Sequence, residues 1–259
     1  MSQGLILNRH GDIAELVINQ PSRRNAMSFD MWEALPKLVA EVDADDSVKV
    51  LVVRGAGDHF CAGADISEFE TRRATAEGAR VYGEHVEHAA HSLSDMRKPS
   101  VAMIQGFCIG GGCEIALACD LRFAGRTATL GITPAKLGLV YSFDSTRQLA
   151  TAVGPSFAKY MLFSGARLSA EEALRVHLVD QLVDPEQLET ETFDFARTIS
   201  SRSQVSVRGA KRMIEKIKGG MDVADEESVE LAIDAVDSDD YKEGVRAFLE
   251  KRPPAFRVR

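Results

Sequence analysis

Residues 101–119 constrain the fold more than any other part of the chain. A short apolar strand, residues 101–104, leads through Gln105 to Ile109 into three consecutive glycines, Gly110, Gly111 and Gly112. A helix-compatible run, residues 113–119, follows at once. Glycine lets the backbone approach a ligand closely, and a helix start leaves N–H groups without partners. Those donors, with the helix dipole behind them, suit a negatively charged oxygen. Glu114 stands one turn into that helix. A carboxylate beside an oxyanion cradle is equipped for acid–base chemistry on a carbonyl compound. The glycines also meet a simpler need, close packing of strand against helix.

The rest of the chain reads as α/β. Residues 14–19 and 49–54 are short, Val/Ile/Leu-rich strands. Between them Ser28 caps a helix whose apolar face is Met31, Leu35, Leu38 and Val42, with Pro36 expected to kink it. Residues 72–96 read as one long polar helix, and residues 120–124 as a further strand. Ser169 and Glu172 form a capping box opening a helix to about Val176. His177 follows it, where a left-handed residue is expected. From about residue 185 the pattern is almost wholly helical, over residues 188–201, 206–218, 223–236 and 239–251. Strands alternating with helices, then helices alone, imply an α/β core with a helical C-terminal region.

Charge and cysteine usage exclude several function classes. With 31 Lys and Arg against 39 Asp and Glu, the formal charge is −8. That argues against general binding to nucleic acid or a membrane surface. No apolar run reaches the roughly 18 residues of a membrane span. The start, Met1-Ser2-Gln3-Gly4, has neither the basic nor the apolar region of a signal peptide. Cys61, Cys108, Cys113 and Cys119 form no Cys-x-x-Cys pair, which favours buried free thiols in a reducing, cytoplasmic setting. His85, His88 and His91 fall three apart on a helix, so successive members rotate by about 60°. That is a solvated or site-lining face rather than a metal site. Lys211, Arg212, Lys216 and Lys218 read as a solvated basic face.

Four ordered motifs resemble the crotonase, or enoyl-CoA hydratase/isomerase, family. They are Asn19-Gln20-Pro21-Ser22-Arg23-Arg24-Asn25-Ala26-Met27, residues 55–66 ending Cys61-Ala62-Gly63-Ala64-Asp65-Ile66, residues 98–120 around the glycines, and residues 243–252. The resemblance covers nearly the whole chain. It implies a spiral of ββα turns over residues 1–195 and a helical oligomerisation region over 196–259. It implies a homotrimer, or a hexamer made as a dimer of trimers. It implies an acyl-CoA thioester substrate and no cofactor, because CoA arrives as part of the substrate. By the same resemblance the N–H groups of Ala64 and Gly111 are the oxyanion-hole donors, contributing roughly 3–4 kcal/mol each to an enolate-like state. Ala62, Gly63, Asp65 and Ile66 belong to the loop that contacts CoA. Arg23 and Arg24 lie where relatives place basic residues near the CoA phosphates. Phe248 and Lys251 match C-terminal positions that reach a neighbouring subunit's site.

One departure bears on the reaction. Hydratases of the family use two glutamates, and Glu114 matches the first. The second position falls on Pro134, which has no acid or base group. Tyr141 falls where some relatives that decarboxylate malonyl-type thioesters carry tyrosine. Those relatives can have histidine at the oxyanion position, which here is Ala64. Asp144 lies near an aspartate that some isomerases use. The leading expectation is hydration or double-bond isomerisation of an enoyl-CoA by Glu114, with Tyr141 and Asp144 as further catalytic candidates. The alternatives are a methylmalonyl- or ethylmalonyl-CoA-like decarboxylase and a catalytically weak acyl-CoA-binding protein. No metal site is expected.

Overall fold

A computed structural model describes residues 4–256. Met1 to Gln3, part of the start read above for leader features, lie outside the described residues. The strands are β1 (Leu5–His10), β2 (Ile13–Ile18), β3 (Val50–Gly55), β4 (Ser100–Ile104), β5 (Phe107–Ile109), β6 (Leu121–Gly125), β7 (Thr129–Gly131), β8 (Arg167–Ser169) and β9 (Gln181–Val183). Six form one sheet in the order β1-β2-β3-β4-β6-β9, and β5-β7-β8 form a second. The β1–β2 hairpin is antiparallel, and every later pair in the large sheet is parallel. Consecutive strands β4 and β5 enter different sheets, as do β6 and β7. This stepping between two sheets gives the spiral of ββα turns that the resemblance implies. The second sheet is extended toward the first motif by isolated bridges, Cys61 to Cys108 and Met27 to Ala64.

The helices are α1 (Phe29–Ala44), α2 (Phe69–Arg72), α3 (Ala76–Ser94), α4 (Gly111–Ala118), α5 (Phe143–Val153), α6 (Pro155–Ser164), α7 (Ala170–Arg175), α8 (Leu188–Ser200), α9 (Gln204–Lys218), α10 (Glu226–Asp237) and α11 (Asp239–Leu249). The main core lies where α1, α3 and α4 pack together, with Trp32, Tyr82, Leu93 and Ile115 all buried. Each such side chain contributes on the order of 1.5–3 kcal/mol by leaving water. A second core forms on the other face of the large sheet, where Leu188, Phe193 and Ala196 of α8 cover Val50, Val52 and Val101. The expected boundary between 195 and 196 falls inside α8. Among the described residues no helix is long and apolar enough to cross a membrane.

Two local expectations change. The long helix over 72–96 is interrupted, because α2 stops at Arg72 and α3 begins at Ala76. Thr75 caps α3, its hydroxyl accepting from Gly78 N at 3.1 Å, a helix-start function that a threonine side chain performs well. The glycine-rich helix begins at Gly111, not Cys113, so Gly111 and Gly112 form its first turn. Pro36 is buried in α1, which continues through it from Phe29 to Ala44. The capping box at Ser169 and Glu172 forms as expected, and His177 takes φ +63°.

Candidate active site

A cavity of about 320 Å³ opens between α3, the start of α4 and the segment 133–142. Its floor holds Glu114, only 6% exposed. Burial pushes the Glu114 carboxyl up to about 7, against the opposing effect of the Ser145 hydrogen bond, and the charge of Glu87 raises it further. A carboxyl with a pKa near neutrality can both give and take a proton at working pH.

Ser145 is held for this task by the start of α5. Ser142 caps that helix, its hydroxyl accepting from Ser145 N at 3.2 Å and donating to Ser145 Oγ at 2.9 Å. Ser145 Oγ in turn donates to Glu114 Oε1. Ser145→Ala should therefore move the limb of the pH–rate profile set by Glu114 to higher pH. A limb that stays in place would show that this hydrogen bond does not tune the group.

Backbone donors belong to the same cavity. Among the described residues, neither Ala64 N nor Gly111 N has a protein acceptor. Both residues line the cavity, and a Cβ built on Gly111 would stand 3.6 Å from Ala64 N. The Gly111 N–H is one of the orphan groups of a helix start. Ala64 is held there because Met27 N donates to Gly63 O at 2.7 Å and Asp65 N to Met27 O at 2.8 Å.

The chain matches the sequence profile of the enoyl-CoA hydratase/isomerase family over residues 8–259. It belongs to that family. It is 35% identical to a crotonyl-CoA hydratase of Syntrophomonas wolfei, with 98% of each chain covered. It is 34% identical to a short-chain-enoyl-CoA hydratase of Clostridium acetobutylicum, over 96% of this chain and 95% of that one. A crystal structure of an enoyl-CoA hydratase/isomerase family protein from Hyphomonas neptunium superposes with a TM-score of 0.96. That protein is 43% identical, with 99% of this chain and 98% of that chain covered. The protein is thus an enzyme of the hydratase/isomerase type, with the crotonase fold.

The structure brings some of the expected hydratase/isomerase residues to the cavity and leaves others apart. Glu114, Tyr141, Ala62, Gly63, Ala64, Ile66, Gly111 and Pro134 all line it. The Tyr141 hydroxyl is buried without a hydrogen bond of normal geometry. Burial and the nearby Glu114 charge hold its pKa well above the usual tyrosine value, with Ser145 close enough to oppose them slightly. Asp144 is not part of the lining. It pairs with His91 Nε2 at 3.1 Å and Arg147 Nη2 at 3.4 Å. Arg23 donates to Asp65 and, at 2.9 Å, to Ser67 Oγ. Burial pushes the Asp65 carboxyl up, but the hydrogen bonds from Ser67 and Arg23 outweigh it and leave the pKa lowered. Arg24 lies over the Phe107 ring, 5.2 Å from its centroid. Phe248, 83% exposed, and Lys251, at φ +55°, stand outside this cavity.

Several cavity residues escaped the sequence reading. Trp32 and Tyr82 are buried, and neither ring's polar atom makes a hydrogen bond of normal geometry. Burial pushes the Tyr82 hydroxyl up to about 12, with the Trp32 indole near enough to ease it. The Arg73 guanidinium stacks over Phe69 and Tyr82, at 4.7 and 5.1 Å from their centroids. Tyr82 and Glu87 both line the cavity from α3, at the two edges of one broad stripe. Ser145 had a signal, since Ser142 three residues earlier marks a helix start. Outside the cavity, the basic residues of α9 are occupied. Lys211 pairs with Asp120, Arg212 with Glu227, Lys216 with Asp225 and Glu227, and Lys218 with Glu215.

Proposed function

We propose that this enzyme hydrates or isomerises an enoyl-CoA through a thioester enolate, with Glu114 as its acid–base group. The observation that carries the reading is a buried carboxyl with its pKa raised to about 7, lining the same cavity as two residues, Ala64 and Gly111, whose N–H groups have no protein acceptor among the described residues. In this reading the thioester oxygen lies between Ala64 N and Gly111 N. Charge develops on that oxygen as the α-carbon gains or loses a proton, and preorganised donors stabilise it most in that state. The CoA moiety runs past residues 62–66 toward Arg23 and Arg24, and no cofactor is needed beyond the CoA of the substrate. The proposed setting is the cytoplasm, where four buried, unpaired thiols persist as thiols.

One observation favours a second reading. Tyr141 lines the cavity, and its buried hydroxyl, with Ser145 nearby, makes no hydrogen bond of normal geometry; it suits positioning of a departing carboxylate. Decarboxylation of a methylmalonyl- or ethylmalonyl-type thioester uses the same oxyanion hole and needs no second carboxyl from the protein. A turnover panel separates the two. Crotonyl-CoA, a 3-enoyl-CoA, methylmalonyl-CoA and ethylmalonyl-CoA are followed by product mass and by loss of the enoyl chromophore. Water addition or double-bond migration supports the leading reading, and carbon dioxide loss alone replaces it with the second. No turnover of any of the four would leave acyl-CoA binding as the function.

We also propose that the assembly is a trimer or a hexamer built from trimers. Ile214, Ile217, Ile233, Val236, Phe248 and Leu249 of α9 to α11 are exposed apolar residues, a pattern typical of interaction surfaces. Light scattering should return three or six chain masses, and a monomer at micromolar concentration would reject the assignment.

A further inference from the structure

Hydration makes two proton demands. Water must lose a proton as its oxygen bonds to Cβ, and Cα must gain one as the enolate collapses. Migration of a double bond needs only one carboxyl to carry a proton between carbons. The position expected to supply a second carboxyl is Pro134, which opens a short 3-10 helix at the cavity wall.

A further carboxyl lines the cavity from another element. Ala79, Tyr82, Gly83, Val86 and Glu87 line the cavity from α3. Their spacing of three and four residues makes one helical stripe. Glu87 is the only acidic residue in that stripe. Its acidic neighbours on the helix are occupied, since Arg80 pairs with both Glu77 and Glu84. Among the described residues Glu87 makes no hydrogen bond or ion pair, and its charge acts on Glu114. Half-buried at the cavity and without a protein partner among the described residues, the Glu87 carboxyl is available to a ligand.

We propose that Glu87 is the second carboxyl of the active site and makes this enzyme a hydratase rather than an isomerase alone. The proposal rests on the acyl-CoA reading above. In the reaction, Glu87 accepts a proton from water while the water oxygen forms its bond to Cβ. The electron pair of the Cα–Cβ double bond moves toward the thioester oxygen. Glu114 then gives its proton to Cα, the oxygen's charge returns to the carbonyl, and the product is the 3-hydroxyacyl-CoA. One water is consumed. The proton taken up by Glu87 and the one lost by Glu114 are exchanged through solvent, which restores both groups.

The test uses the full chain and crotonyl-CoA, with the variants Glu87→Gln, Glu87→Asp and Glu114→Gln, each checked for its thermal transition. Glu87→Gln should lower kcat for hydration about a thousandfold, within the range of general acid–base contributions, and move KM by less than about threefold. Glu87→Asp should recover part of the loss. The kcat-against-KM split and the recovery by Glu87→Asp separate a proton-transfer role from a wall role, while a pH–rate profile reports the action of the Glu87 charge on Glu114. The titratable groups lining the cavity are Arg73, Tyr82, Glu87, Glu114 and Tyr141. Removing the Glu87 charge should shift the Glu114 limb to lower pH in the residual rate. If Glu87→Gln keeps near-normal kcat while Glu114→Gln is inactive, Glu87 is a wall residue and only this proposal falls. If both Gln variants hydrate normally, the role of Glu114 in the acyl-CoA reading falls with it, and a parent enzyme that isomerises an enoyl-CoA without hydrating one overturns this proposal alone.

Discussion

Glu114→Gln should abolish turnover and at the same time make the protein more stable. The rate should fall about a thousandfold, because an amide cannot move a proton and general acid–base groups contribute roughly 10²–10⁴. Acyl-CoA binding should change little, since glutamine keeps the shape and its carbonyl still accepts from Ser145. The stability gain follows from the raised pKa. Burial holds the folded carboxyl at about 7 against an unfolded value of 4.5. Between those values the folded chain binds more protons than the unfolded chain, so stability falls as pH rises through that window. Above it the loss is constant, on the order of 3 kcal/mol at about 1.4 kcal/mol per pKa unit. The variant should melt several degrees higher than the parent at pH 8, and nearly with it at pH 4. Equal melting points at pH 8 would show that the carboxyl is not held in an unfavourable state. Retained turnover would remove Glu114 from the mechanism.

The same residue shows what a sequence can and cannot disclose. Glu114 drew attention because glycines precede it; Gly111 and Gly112 meet close neighbours and Gly110 takes φ +54°, three needs that only glycine meets in a row. The layering was legible too, since apolar runs such as residues 101–104 carry their burial in their composition. The short strands β7, β8 and β9 carry three residues each, too few for a period to show. Glu87 was hidden for a different reason. On a helix taken to run from residue 72, it was one polar residue among many. The break capped by Thr75, and α4 packed against α3, decide which stripe of the helix meets the cavity. Asp144 illustrates the reverse case. Its sequence position suggested chemistry, whereas its carboxylate is directed to His91 and Arg147, contacts that only the folded chain brings together.

Gly112→Ala should be among the most destabilising single-atom additions to this chain, while Gly111→Ala should mainly damage the reaction. The two glycines are adjacent but meet different neighbours. A Cβ on Gly112 would stand 2.3 Å from the Cys61 carbonyl oxygen and 3.1 Å from its carbon. That carbonyl is fixed, because it accepts from Ile109 N at 2.9 Å while Cys61 N donates to Phe107 O at 2.9 Å. Relief requires parting α4 from this ladder, and overpacking of such sites costs about 1–3 kcal/mol or more. A Cβ on Gly111 instead meets the Trp32 ring, 2.8 Å from Cζ2 and 3.1 Å from Cη2. The ring can yield only into the cavity or against α1, which displaces the wall beside Ala64 N. A misplacement near 1 Å at the reacting groups can cost about a hundredfold in rate. Urea unfolding should therefore show the larger loss for Gly112→Ala, and kcat at a temperature where both variants are folded should show the larger loss for Gly111→Ala. Equal effects in both assays would mean that the two glycines serve packing alone, and the oxyanion role of the Gly111 N–H would lose its support.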